Sequence, residues 1–163
     1  LPFNMYAVVA NPETPSGTIA GFEFAWAWDP APVVPPFILS LTLPPGSLNV
    51  GDNSNLIVGF GSAPINNDPA TLLATFNVMF VALPAELTYV TVGPSTPATI
   101  AGRCAIADGD NAGFLVALDY STVDGVDVVV DVDGWVRPGV ASIGCPAPIA
   151  TETQTWGGVK ALY

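Results

Sequence analysis

Seventeen prolines and sixteen glycines are scattered along the 163 residues, and this punctuation limits the fold more than any other feature of the chain. Proline removes a backbone donor and clashes with the preceding helical turn, while an interior glycine costs a helix about 1 kcal/mol relative to alanine. No stretch between them carries apolar residues at the i, i+3, i+4, i+7 spacing of a long amphipathic helix. Strands must therefore build the core. The runs 3–10, 18–28, 37–43, 56–60, 72–81, 87–92, 114–118 and 126–132 are rich in Val, Ile, Thr, Phe and Tyr, side chains that fit a pleated, half-buried surface. They end at turn-forming clusters such as Asn11-Pro12, Asp29-Pro30, Pro44-Pro45-Gly46, Gly51-Asp52-Asn53, Asn66-Asn67-Asp68-Pro69 and Asp108-Gly109-Asp110-Asn111. About nine short strands with no helical crossovers predict an all-β, antiparallel β-sandwich, with a barrel as the alternative.

The segment 21–29 is the most informative. Phe22, Phe24, Trp26 and Trp28 occupy alternate positions, with Glu23, Ala25, Ala27 and Asp29 between them, so all four large rings share one face of a strand. Such a face is either the inner wall of the sandwich or an exposed platform for stacking sugars. Four rings in water would make an apolar patch of a size that soluble proteins rarely expose, which favours the core.

Composition narrows the function. Charged residues are 10% of the chain, against roughly 25% in an ordinary soluble domain. Fourteen acidic side chains face three basic ones, Arg103, Arg137 and Lys160, for a net charge of −11. A field of that sign repels phosphate backbones and anionic lipid, so nucleic acid is excluded as an expected partner. No apolar run approaches the ~20 residues that span a bilayer, so no membrane span is expected. The chain opens at Leu1 directly into a strand-like pattern. With the absence of His and the scarcity of Lys, this reads as the processed N-terminus of a secreted protein, extracellular or at the cell surface.

Two cysteines, Cys104 and Cys145, allow one disulfide in an oxidising compartment, which would stabilise the fold by roughly 4 kcal/mol on the chain-entropy model. Two separate buried thiols are the alternative reading. Catalysis lacks its commonest proton acceptor, since there is no His. Asp127, Asp131 and Asp133 alternate along one face of a strand-like run as the only carboxylate set of glycosidase type, but nothing marks a cleft around them. The expectation is therefore a protein that is not an enzyme. Asp108, Asp110 and Asn111 form the best candidate metal loop. Only oxygen ligands are on offer there, so Ca²⁺ would be the ion, although Asp and Gly at a hairpin tip usually serve turn geometry. No other cofactor is expected.

A family resemblance rests on two segments. Ala20-Gly21-Phe22-Glu23-Phe24-Ala25-Trp26-Ala27-Trp28-Asp29-Pro30 and Leu73-Ala74-Thr75-Phe76-Asn77-Val78 resemble two core strands of cohesin domains. The resemblance implies a nine-stranded, jelly-roll-like sandwich over residues 1–135, related to carbohydrate-binding modules, and it leaves 136–163 as an extension. Leu43-Pro44-Pro45-Gly46 and the ending Thr155-Trp156-Gly157-Gly158-Val159-Lys160-Ala161-Leu162-Tyr163 are also similar to segments of small secreted bacterial proteins of unassigned role.

The apolar ending and the apolar first strand suit contacts between copies. The leading expectation is a non-catalytic structural protein, a homopolymeric filament or surface-layer subunit. Its assembly contacts would be Phe3, Met5, Val8, Trp156, Val159, Leu162 and Tyr163, with the extension tied back through Cys145. The alternative is a module docking another secreted protein or a polysaccharide, for which exposure of Trp26, Trp28 and Trp135 is the discriminating feature.

Overall fold

A computed structural model describes residues 2–118 and the backbone of 142–143. The strands are β1 (Pro2–Ala10), β2 (Thr18–Asp29), β3 (Phe37–Thr42), β4 (Leu48–Asn49), β5 (Asn55–Gly59), β6 (Ile65–Asn66), β7 (Ala70–Met79), β8 (Thr88–Gly93), β9 (Ala105–Asp108), β10 (Leu115–Ala117) and β11 (Ser142–Ile143). The described residues contain no helix. Two antiparallel sheets carry the strands, as the alternation predicts. The smaller sheet has the order β1-β7-β3, and the larger runs β10-β9-β2-β5-β4, with β6 and β8 also on β2 and β11 on β8.

Residue alternation explains which side chains fill the space between the sheets. Phe22, Phe24 and Trp26 of β2 are buried against Leu56 and Val58 of β5 and against Phe76 and Val78 of β7. The Trp26 ring meets Phe76 edge-on at 5.3 Å, and Trp28 meets Phe80 at 5.2 Å, so aromatic contacts bridge the two layers. The indole N–H of Trp26 is satisfied by donating to the Asn53 carbonyl at 2.8 Å. These rings are core, as burial cost requires. Of the tryptophans proposed for sugar stacking, Trp28 is half-buried, and Trp135 lies outside the described residues.

Bulges adjust this alternation at three places. The β2–β9 register shifts between Ile19 and Gly21, so Ile19 and Phe22, three residues apart, both enter the core. Gly21 is needed at that point, because a Cβ there would sit 2.5 Å from the Val58 carbonyl oxygen. In β7 the β1 register skips Leu73, and the inward set changes phase so that Leu73 and Ala74 are both buried. The third irregularity falls between Ile38 and Ser40 of β3.

The strand β2 organises the larger sheet. Its residues 19–23 pair with β9 and 25–29 with β8, so β8 and β9 follow one another along β2 and the loop 94–104 is an excursion between them. That loop lies over Glu23. The buried Glu23 carboxylate accepts the Thr99 N–H at Oε1 and the Thr99 hydroxyl at Oε2, each at 2.8 Å. The Asn55 side chain also exchanges two hydrogen bonds of 2.8 Å with the Thr96 backbone. Ala25, on the same side of β2 as Glu23, is buried as well.

Candidate interaction surface

Among the described residues, the smaller sheet has no such cover. Register places Pro2, Met79 and Phe37 in one cross-strand row, then Asn4, Asn77 and Ser40, then Tyr6, Thr75 and Thr42, and finally Val8 with Leu72. These side chains face away from the core. Tyr6 is 62% exposed and Phe37 57%, with Val8, Leu39 and Leu72 also exposed. The Asn77 amide donates to Asn4 Oδ1 at 2.8 Å, which fixes the polar row in the middle. None of the three strands contains an Asp, Glu, Lys or Arg. In a chain of net charge −11, this face carries none of the repulsion.

Among the described residues, the flanking strands β1 and β3 are both edges of this sheet. Proteins usually blunt such edges with charge, proline or a bulge, because unpaired N–H and C=O groups template further strands. β3 has its irregularity at Leu39. β1 has Pro2 at its start and then eight residues with no charge and no bulged residue of its own, since the skipped residue in the β1–β7 ladder is Leu73.

The contact residues expected from the sequence separate on this framework. Phe3 and Met5 are half-buried against the protein's own core, and the Phe3 ring stacks on Phe80 at 6.2 Å. Val8 points outward. Trp156, Val159, Leu162, Tyr163 and Cys145 lie outside the described residues, as do Asp127, Asp131 and Asp133. Sequence reasoning missed Tyr6, Phe37 and Leu72. Tyr6 has the parity opposite to Phe3 and Met5, and Phe37 and Leu72 reach the same face through the pairing registers of β3 and β7, which the sequence alone does not fix.

A groove opens beside the same sheet. β3 pairs with β7 only as far as Thr42↔Thr75, whereas β1 continues to Ala10↔Ala70. Among the described residues, Ala70–Ala74 thus have a strand partner on one side only. Along that side runs a cavity of about 660 Å³, lined by Leu43, Pro44, Pro64, Ile65 and Leu73 among others, with Asp68 as the one ionisable side chain that the described residues bring to it. Five residues at ~3.3 Å each make a gap of ~17 Å, the length of a common strand.

The acidic loops have a different character. Asp108 is buried, and its carboxylate accepts backbone N–H groups from Ser16 at 2.8 Å, Asn111 at 3.1 Å and Asp110 at 3.2 Å. The Ser16 hydrogen bond, foremost, holds this carboxyl below the usual carboxylate range, with the other donors assisting and burial opposing. Asp110 and Asn111 are exposed. Asp108 therefore ties the 12–17 turn to the β9–β10 hairpin. Asp52 is similarly lowered by the Ser54 N–H and hydroxyl and by the Asn55 N–H. Among the described residues, no three His, Cys, Asp or Glu side chains come together in a metal-binding group, and no helix is long and apolar enough to cross a membrane. Cys104 is buried, with Sγ 3.1 Å from the Gly93 carbonyl oxygen.

No family model, curated protein or solved structure matches the chain. The functional reading accordingly rests on the surface chemistry of the sandwich itself.

Proposed function

We propose that this protein is a non-catalytic, secreted structural subunit that assembles with copies of itself into a filament or surface layer. The observation that carries the reading is the outer face of β1-β7-β3: apolar and amide side chains, no charge, and, among the described residues, an edge strand with almost none of the usual protection. An apolar patch of this kind, on a chain whose acidic residues lie elsewhere, is the surface at which like-charged copies can approach. Strand addition at β1 and burial of Tyr6, Val8 and Phe37 supply the two parts of such a contact. Sugar stacking along 21–29 has little support, because Phe22, Phe24 and Trp26 are spent on the core.

Sedimentation velocity and negative-stain microscopy test the proposal. The chain should associate as its concentration rises, and the double variant Tyr6→Lys, Val8→Lys should stay monomeric with an unchanged melting curve. A monodisperse monomer at high concentration that never forms ordered assemblies would overturn it.

A further inference from the structure

We infer that the groove beside Ala70–Ala74 is an acceptor for one extended strand, and that its occupant is the segment 153–163 of a second copy. The inference rests on the self-assembly proposed above and adds to the contact at β1 a second one that assembly equally requires. Three observations on the molecule support it.

The first is backbone supply. Among the described residues, β7 offers five residues with one side unpaired and an apolar trough alongside, so an incoming strand continuing the line of β3 would gain main-chain hydrogen bonds as well as apolar burial. The second is charge. The one ionisable group that the described residues bring to the groove is Asp68, while Thr153-Gln154-Thr155-Trp156-Gly157-Gly158-Val159-Lys160-Ala161-Leu162-Tyr163 contains no acid and one lysine. In extended form Val159, Ala161 and Tyr163 make one uncharged face, and Lys160 falls on the other. By contrast, 119–133 carries Asp119, Asp124, Asp127, Asp131 and Asp133, a poor match for a trough with an acid at its rim.

The third is placement. β11 pairs with Thr88 and Tyr89 of β8, beside Asp29 at one end of β2. The groove is lined by Ile65 and Asn66, which pair with Ile19 and Thr18 at the other end. Ten residues of strand separate the two ends by ~33 Å. With β11 at one end and the acceptor at the other, the placement suits a head-to-tail contact between copies, which extends as a filament where its rotation does not close a ring.

The test uses two variants: a chain ending at residue 150, and a full-length chain in which Ala70→Trp fills the groove from an exposed position. Light scattering after size exclusion should show the full chain as a concentration-dependent series, each variant alone as a monomer, and their mixture as a 1:1 heterodimer. A labelled synthetic peptide of residues 153–163 should bind the shortened chain and slow amide exchange at Ala70–Ala74, and Ala70→Trp should weaken that binding by about tenfold or more. If the shortened chain assembles as well as the full chain, the acceptor inference falls while self-assembly stands. A full chain that is monomeric with Ala70–Ala74 already protected means that the segment fills its own groove, which overturns the contact between copies. Lack of peptide binding by a folded shortened chain overturns the acceptor outright.

Discussion

The two sheets of this sandwich solve the same problem in opposite ways. The larger sheet covers its outer surface from its own chain: the 94–104 excursion folds over β2 and is pinned there by Glu23 and Asn55. Among the described residues, the smaller sheet leaves its outer side bare and uncharged. A covered β2 can be long and buried on both sides, as Phe22 and Glu23, adjacent in sequence, show. An uncovered sheet must keep its outward side chains tolerable in water or give them to another molecule.

The largest loss should follow a cut into the shared core from the β2 side. Trp26→Ala removes a ring that joins both layers and leaves the Asn53 carbonyl without its donor, so denaturant unfolding should show a loss of about 3–5 kcal/mol. A loss under about 1 kcal/mol would mean that the layers do not depend on this bridge.

A smaller effect should come from unpinning the excursion. Glu23→Ala deprives Thr99 of both acceptors and should cost about 1.5–3 kcal/mol, the range for hydrogen bonds to a charged group. Amide exchange should quicken in 94–104 while β1, β7 and β3 keep their protection. Glu23→Gln should be milder, since the amide oxygen still accepts the Thr99 N–H and the amide nitrogen can donate to a reoriented hydroxyl. Equal losses for the two variants would show that side-chain volume, not hydrogen bonding, holds the loop.

On the bare sheet the same kind of truncation should do little. Phe37→Ser removes a large ring that is 57% exposed, and the monomer's unfolding free energy should move by less than about 0.5 kcal/mol, with solubility rising as the apolar patch shrinks. A loss comparable to that of Trp26→Ala would mean that the ring supports the core after all.

Much of this contrast was legible in the sequence, and the illegible parts have physical reasons. Alternation located β1, β2, β3, β5, β7, β8 and β10, and it placed the Phe22–Trp26 rings inside, because ring burial dominates at that strand. It missed β9, since Ala105-Ile106-Ala107-Asp108 is short and its small residues make no pattern. It could not reveal that β8 and β9 follow each other along β2, or that Glu23 is covered, because both depend on where an excursion folds. The parity of β1 was ambiguous for a different reason. Phe3 and Met5 on one side and Tyr6 and Val8 on the other are both apolar, and only the position of the second sheet decides which pair is inside.

The smallest expected effect concerns protons, and it separates the sheets by charge. The turn carboxylates Asp108 and Asp52 belong to the loops of the larger sheet, whereas β1, β7 and β3 hold no carboxylate at all. Asp108 is held below the usual carboxylate range, chiefly by the Ser16 N–H, so between its folded and unfolded values the unfolded chain binds more protons. Its contribution to stability is therefore complete above the unfolded value, near pH 3.9, and fades as pH falls through the lower folded value. Asp108→Asn keeps an oxygen for Ser16 but places an amide nitrogen, a donor, where the Asp110 and Asn111 N–H groups need an acceptor. Unfolding measured across the acid range should then show a slope against pH smaller by up to about one proton. Exchange at acid pH should rise first in 12–17 and 108–114, with the bare sheet following later. An unchanged slope in Asp108→Asn would place the acid sensitivity in other groups and remove Asp108 as the tie between those turns.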